Sequence, residues 1–200
     1  MKRNMLILAV VFTGLLQACS EDESSMPAIA DEEQAREAFL RIHTIWTATL
    51  QPVIEQGNDV TYTDEVMEGA GGGSVVVNGT FSQSRSSSAS STLNTSLTDV
   101  TLEFQQYTYE DLVLNGVLRF FDSYRYRYAC SSSGCASSTH MFMSYASEGR
   151  DKIVNPPIAI EFEYNGRRYK DTILLDADKE YSTFTVKMTN SAGQEFWFNY

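Results

Sequence analysis

Few groups in this chain have the type and spacing to do chemistry. There are 3 cysteines and 2 histidines in 200 residues, beside 26 carboxylates. Cys130-Ser-Ser-Ser-Gly-Cys135 puts four residues between its thiols. A thiol oxidoreductase keeps two there at the start of a helix, so the spacing does not point to redox catalysis. His43 and His140 have no histidine, cysteine or carboxylate at metal-ligand spacing, and both read as structural or surface groups. Serines abound without a Gly-x-Ser-x-Gly elbow or a recognisable triad. Gly69-Ala-Gly-Gly-Gly73 lacks the Gly-Lys-Ser/Thr end and the following helix of a phosphate loop.

Two acidic groupings complete the inventory. Asp176-Ala-Asp178-Lys-Glu180 begins like a calcium loop, but Tyr181 stands where the glycine belongs and Lys187 where the last acid belongs. It reads as a solvated turn between strands. Glu161 and Glu163 share a strand face, as a catalytic pair would, yet basic residues lie opposite and explain them as charge pairs. The expectation is a protein that is not an enzyme, with no catalytic residue, no metal and no cofactor.

Charge narrows the partners. The chain has 15 basic and 26 acidic residues, a net charge of −11. Nucleic acid needs Lys and Arg to displace its counterions, so none is expected as a partner. With 42% hydrophobic residues, the length suits one globular core.

The N-terminus reads as an address. Lys2 and Arg3 precede the apolar run Met5-Leu-Ile-Leu-Ala-Val-Val-Phe12, and Leu15-Leu16-Gln17-Ala18-Cys19 follows. A basic start, a short apolar core and a small residue before the cleavage point make a secretory signal. The run falls short of the roughly 20 apolar residues of a spanning helix. Leu16-Gln17-Ala18-Cys19 resembles the lipobox of bacterial lipoproteins. That resemblance implies cleavage before Cys19 and a lipid anchor, with palmitate-like acyl chains, on Cys19. The membrane is then a partner through this lipid, two or more chains giving stable attachment.

Three segments follow: residues 1–18 as signal peptide, 19–30 as acylated cysteine and flexible tether, and 31–200 as a single domain. By the same resemblance, Ser20 after the cysteine implies the outer membrane, facing the periplasm. Glu21-Asp22-Glu23 is similar to the surface-export signal of Bacteroidota lipoproteins, so the cell surface is the alternative. Without Lys2 and Arg3 the rest of the chain has 13 basic and 26 acidic residues, net −13. An anionic membrane would repel such a domain, leaving the acyl chains to hold it.

The elements that must position all this come next. Asp31 is placed to cap a helix, with Gln34 completing a capping box and Glu32 and Glu33 in the first turn. Ala35, Ala38, Phe39, Ile42, Ile45, Trp46 and Thr49 form an amphipathic stripe. Pro52 could end the helix near Leu50, although Val53 and Ile54 hint at another turn. Beyond Tyr62 the texture becomes Val, Thr, Tyr and Phe in period two. Strands are expected near 60–67, 74–84, 92–106, 111–121, 123–129, 138–146, 157–164, 167–175, 182–190 and 194–200. The serine-rich stretch 82–91 reads as a long, loose hairpin tip. Asn165-Gly166 marks a type I′ hairpin. The other two Asn-Gly pairs, in Val76-Val-Asn-Gly-Thr-Phe81 and Val113-Leu-Asn-Gly-Val-Leu118, form a weak repeat and are read as bends inside continuous strands. The C-terminal Phe196-Trp-Phe-Asn-Tyr200 is similar to the assembly signal of outer-membrane barrels, but reads better as a final core strand.

The fold class expected is mainly β: an antiparallel meander forming a barrel or half-barrel, with one N-terminal amphipathic α-helix packed on it. If Cys19 carries lipid, Cys130 and Cys135 remain as an even pair in an oxidising compartment, and a disulfide closing their hairpin is expected. Tyr126 should then oppose Thr139, and Arg125 should oppose His140. The body resembles the serine- and tyrosine-rich β lipoproteins of Gram-negative envelopes, through segments such as Val75-Val-Val-Asn-Gly-Thr80 and Leu114-Asn-Gly-Val-Leu118. The leading functional expectation is a non-catalytic structural or interaction module with a protein partner. A carrier of an apolar, lipid-like ligand in a curved-sheet pocket is the alternative.

Overall fold

The computed structural model describes residues 26–146, 157–180 and 182–200. The lipobox and Cys19 lie outside the described residues. The helix α1 (Glu32–Ile45) starts as its sequence dictates: the Asp31 carboxylate accepts from the Gln34 N–H at 2.9 Å, and the Gln34 carboxamide reaches back to the Ala30 N–H. It continues through a π-helical turn (Trp46–Leu50) into α2 (Gln51–Ile54). Pro52 has no N–H to donate, so the helix passes it by widening. The extra residue in that turn moves the buried stripe from the expected Thr49 to Leu50 and Ile54.

Among the described residues nine antiparallel strands follow: β1 (Asp59–Glu68), β2 (Ser74–Ser87), β3 (Ser91–Tyr109), β4 (Leu112–Ser131), β5 (Gly134–Ala146), β6 (Ile158–Tyr164), β7 (Arg167–Glu180), β8 (Thr183–Thr189) and β9 (Glu195–Asn199). They form one sheet in the order β1-β2-β3-β4-β5-β7-β8-β9. β6 shares the lane of β5, pairing with the first part of β4 and of β7. The four strands β4, β5, β7 and β6 thus make a ring within the sheet, while β1 and β9 remain its edges. The helix packs on this curved sheet, with Phe39, Ile42, Ile45 and Trp46 at most 2% exposed. The expected class, mainly β with one packed helix, is what the chain adopts.

Four expectations on the elements need correction. The expected strands 111–121 and 123–129 are one strand, β4. Asp122, the residue between the two expected strands, is of a type depleted in strands. It instead stays in the ladder opposite Thr98 and Met143. The serine run is not a long loop: β2 and β3 pair as far as Ser87 and Thr92, leaving a short turn. Asp176, Asp178 and Glu180 are not in a turn but inside β7, paired with both β5 and β8. The end of the stretch expected as a tether, 19–30, is also not free. Ile29 is fully buried, its N–H donates to Asp171 and its carbonyl accepts from Asn190.

The Asn-Gly repeat has a common structural job. Gly79 and Gly116 take φ values of 135° and 114° inside continuous strands, and at Gly79 a Cβ would lie 2.2 Å from the Asp99 carbonyl oxygen. Each preceding asparagine serves a bulge on the neighbouring strand. Asn78 accepts from the N–H of Asp64, and Asn115 from that of Gln106, both residues having φ of 52°. A bulge frees an N–H from the ladder, and the asparagine satisfies it. Asn165 and Gly166 have the paired positive φ of the expected hairpin turn.

Candidate binding surface

The long middle strands outrun the core. In residues 83–96 and 123–142 no side chain is fully buried, and their four strand segments pair only with one another until β7 joins at Phe142. This ribbon extends past the core by roughly 25 Å, at about 3.3 Å per residue. Cys130 and Cys135 face each other near its tip and are bonded, with S–S 2.04 Å. The register is the one expected: Tyr126 opposes Thr139 and Arg125 opposes His140. The loop closed by the bond is short, so it pins register more than it limits the unfolded chain.

Alternation gives the ribbon two different faces. Tyr124, Tyr126 and Tyr128 continue the core-facing side of β4, with Ser96, Asn94 and Thr92 opposite on β3. Arg125 and Arg127 occupy the other side, beside His140 on β5 and Leu93 on β3. The ribbon sequences contain Arg85, Arg125 and Arg127 but no Asp or Glu. The other 12 basic residues share the remaining chain with all 26 acidic ones. Charge is therefore segregated: a net +3 ribbon on an acidic body.

Where the ribbon meets the core lies a cluster of polar groups. The His43 Nδ1 is 2.7 Å from the hydroxyl of fully buried Tyr145. Burial, assisted by Lys179, lowers the His43 pKa, so the ring is held neutral. Burial beside Asp122 pushes the Tyr145 hydroxyl well above its ordinary value. Asp122 itself is raised to about 6, first by burial and then by the nearby Glu55 carboxylate. Glu55 accepts a hydrogen bond from buried Thr98 at 2.7 Å. Trp46 stacks on Phe120 beneath this layer, its indole N–H buried without a hydrogen-bond partner. Among the described residues no nucleophile with an adjacent base emerges from this cluster.

The remaining singled-out residues fall into structural places. Glu161 pairs with Arg168 and Lys170 at 3.7 and 3.8 Å, which accounts for it by charge. Gly69–Gly73 turns β1 into β2, its backbone bonded to Thr108. Phe196 and Phe198 are 5% exposed and pack into the core from β9, while Trp197 faces out beneath Lys187. Two open clefts of about 290 and 220 Å³ lie at Asn115–Glu161–Lys170 and at Arg41–Asp111. Both are below the roughly 300 Å³ at which small-molecule sites begin. Among the described residues no group of three His, Cys, Asp or Glu side chains is placed to hold a metal.

The ribbon as a unit was not among the sequence expectations, which treated its two stretches separately. The signal was present: two separated stretches, both rich in serine and both free of carboxylates in an acidic chain. No protein-family model, curated protein or solved structure matches this chain.

Proposed function

We propose that the chain is a lipid-anchored protein of the bacterial envelope whose β domain is a non-catalytic interaction module, with the ribbon as its binding end. Cys19 carries the lipid in this proposal, and the outer membrane is the site, with the periplasmic face preferred to the cell surface. One observation carries the binding assignment: a four-stranded ribbon of Tyr, Ser and Arg stands clear of the core and is kept in register by a disulfide. Tyrosine offers a large amphipathic contact at low entropic cost, and serine offers adaptable hydrogen bonds, the composition that antibody binding loops use.

The direction of the ribbon supports the same view. The chain joins the sheet where Pro27 accepts from the Lys170 N–H. From Asp171 along β7 to Lys179, then along β5 from Met143 to Cys135, is sixteen residue steps away from that point. That path measures on the order of 50 Å along the strands. A tether before Pro27 would leave the ribbon pointing away from the membrane. The helix side chains that fill the concave face favour a module over a carrier, which needs that space for its ligand.

Two readouts on the envelope test the proposal. Intact mass of the membrane-derived chain should equal residues 19–200 plus acyl chains, and a lipid-free mass overturns the anchor. On native electrophoresis of gently solubilised envelopes, wild type should run in a complex. Tyr124→Ser/Tyr126→Ser/Tyr128→Ser should run free, and identical migration of the two overturns the binding assignment.

A further inference from the structure

The ribbon has an open edge as well as two faces. On β5, residues 134–141 pair with β4 on one side, and among the described residues no strand pairs on the other. Natural sheets guard such edges with Lys, Pro, a charge or a bulge. This stretch, Gly-Cys-Ala-Ser-Ser-Thr-His-Met, has none of them apart from His140. Met141 on it is 42% exposed.

The opposite margin of the sheet is built differently. Among the described residues β1 pairs with β2 alone, and it carries Asp59, Asp64, Glu65 and Glu68 with no basic residue. All four are exposed, and Val66 among them is 54% exposed. These acids would repel a second β1 strand. They suit the β5 edge, where Arg125 lies one strand back, about 4.8 Å, from His140. Arg125 and Arg127 have no salt-bridge partner among the described residues, although six other Arg or Lys side chains do.

We propose that the domain assembles head to tail, the open β5 edge of one copy receiving the acidic β1 edge of the next. This rests on the ribbon being the binding end and names its partner as a second copy of the chain. The contact joins unlike surfaces, so it propagates as a chain or closes as a ring. Backbone pairing at the strand edge supplies affinity, and the opposite charges exclude β1–β1 contacts.

The test is sedimentation velocity of the full membrane-derived chain in mild detergent. At about 20 mM salt oligomers larger than a dimer should form, and they should weaken at least about tenfold near 500 mM, where screening is short-ranged. Arg125→Glu/Arg127→Glu gives two acidic edges and should sediment as monomer. Asp59→Lys/Glu65→Lys/Glu68→Lys leaves one acid against three bases on β1, gives two basic edges and should do the same. Mixing the two variants should restore assembly, since each then offers what the other lacks. All five side chains are exposed, so urea melts should match wild type and separate lost contact from lost fold. Monomers at low salt, or assembly that the swaps leave intact, overturn the inference. A complex of one copy with a different protein also overturns it, yet leaves the ribbon standing as the binding end.

Discussion

Asp122 should make this fold less stable as pH rises, contrary to the usual behaviour of a paired carboxylate. Its folded pKa of about 6 lies above the unfolded 3.8 because it is half-buried near Glu55. Between those values the folded state holds a proton that the unfolded state has lost, so unfolding becomes easier as pH increases. Full shielding would make the change about 3 kcal/mol over this interval. Partial solvent access cuts that to roughly 1–2 kcal/mol. Asp122→Asn removes the charge and keeps the shape. It should therefore be more stable than wild type at pH 8 by that amount and nearly equal to it at pH 4. His43 acts in the opposite sense: its lowered pKa gives stability that is lost as pH falls below 6.5. Both chains share that contribution, so the difference between their urea midpoints isolates Asp122. A difference that stays constant from pH 4 to pH 8 would refute the reasoning.

Three further perturbations have expected outcomes. Asp171→Ala leaves the N–H groups of Ile29, Thr172 and Ser191 without their acceptor. It should cost about 2–4 kcal/mol in chemical denaturation and raise amide exchange at Ile29. Gly79→Ala forces a Cβ against the Asp99 carbonyl at a positive φ and should cost at least about 2 kcal/mol, read as a lower melting midpoint. Cys130→Ala/Cys135→Ala should lower global stability by at most roughly 2 kcal/mol. Its main effect should be faster amide exchange confined to the ribbon, because the core lies beyond the clasp.

The sequence pattern was most legible where one residue type has one structural use. Asp31 with Gln34 marked the helix start, Asn165-Gly166 the hairpin, and Cys130 with Cys135 the register across to Thr139 and His140. Features set by distant partners were not legible. The bulges at Asp64 and Gln106 depend on neighbouring strands, where Asn78 and Asn115 accept from their freed N–H groups. Ile29 looks like any residue of a polar tether until Asp171 and Asn190 close on its backbone. The ribbon was hidden for another reason. Serine has a weak strand preference, so its stretches resemble loops unless partner strands are in view.

In the proposed reading the ribbon is where this protein meets its partner, and the proposed anchor lies at the opposite end of the body. Site-specific photo-crosslinking in cells tests that most directly, with benzoylphenylalanine at Tyr126 on the ribbon and, in a separate chain, at Thr172 on the body, two residues from the Lys170 that meets Pro27. Tyr126 should give a discrete higher-mass adduct, and Thr172 should give none. Adducts from Thr172 with none from Tyr126 would contradict the account.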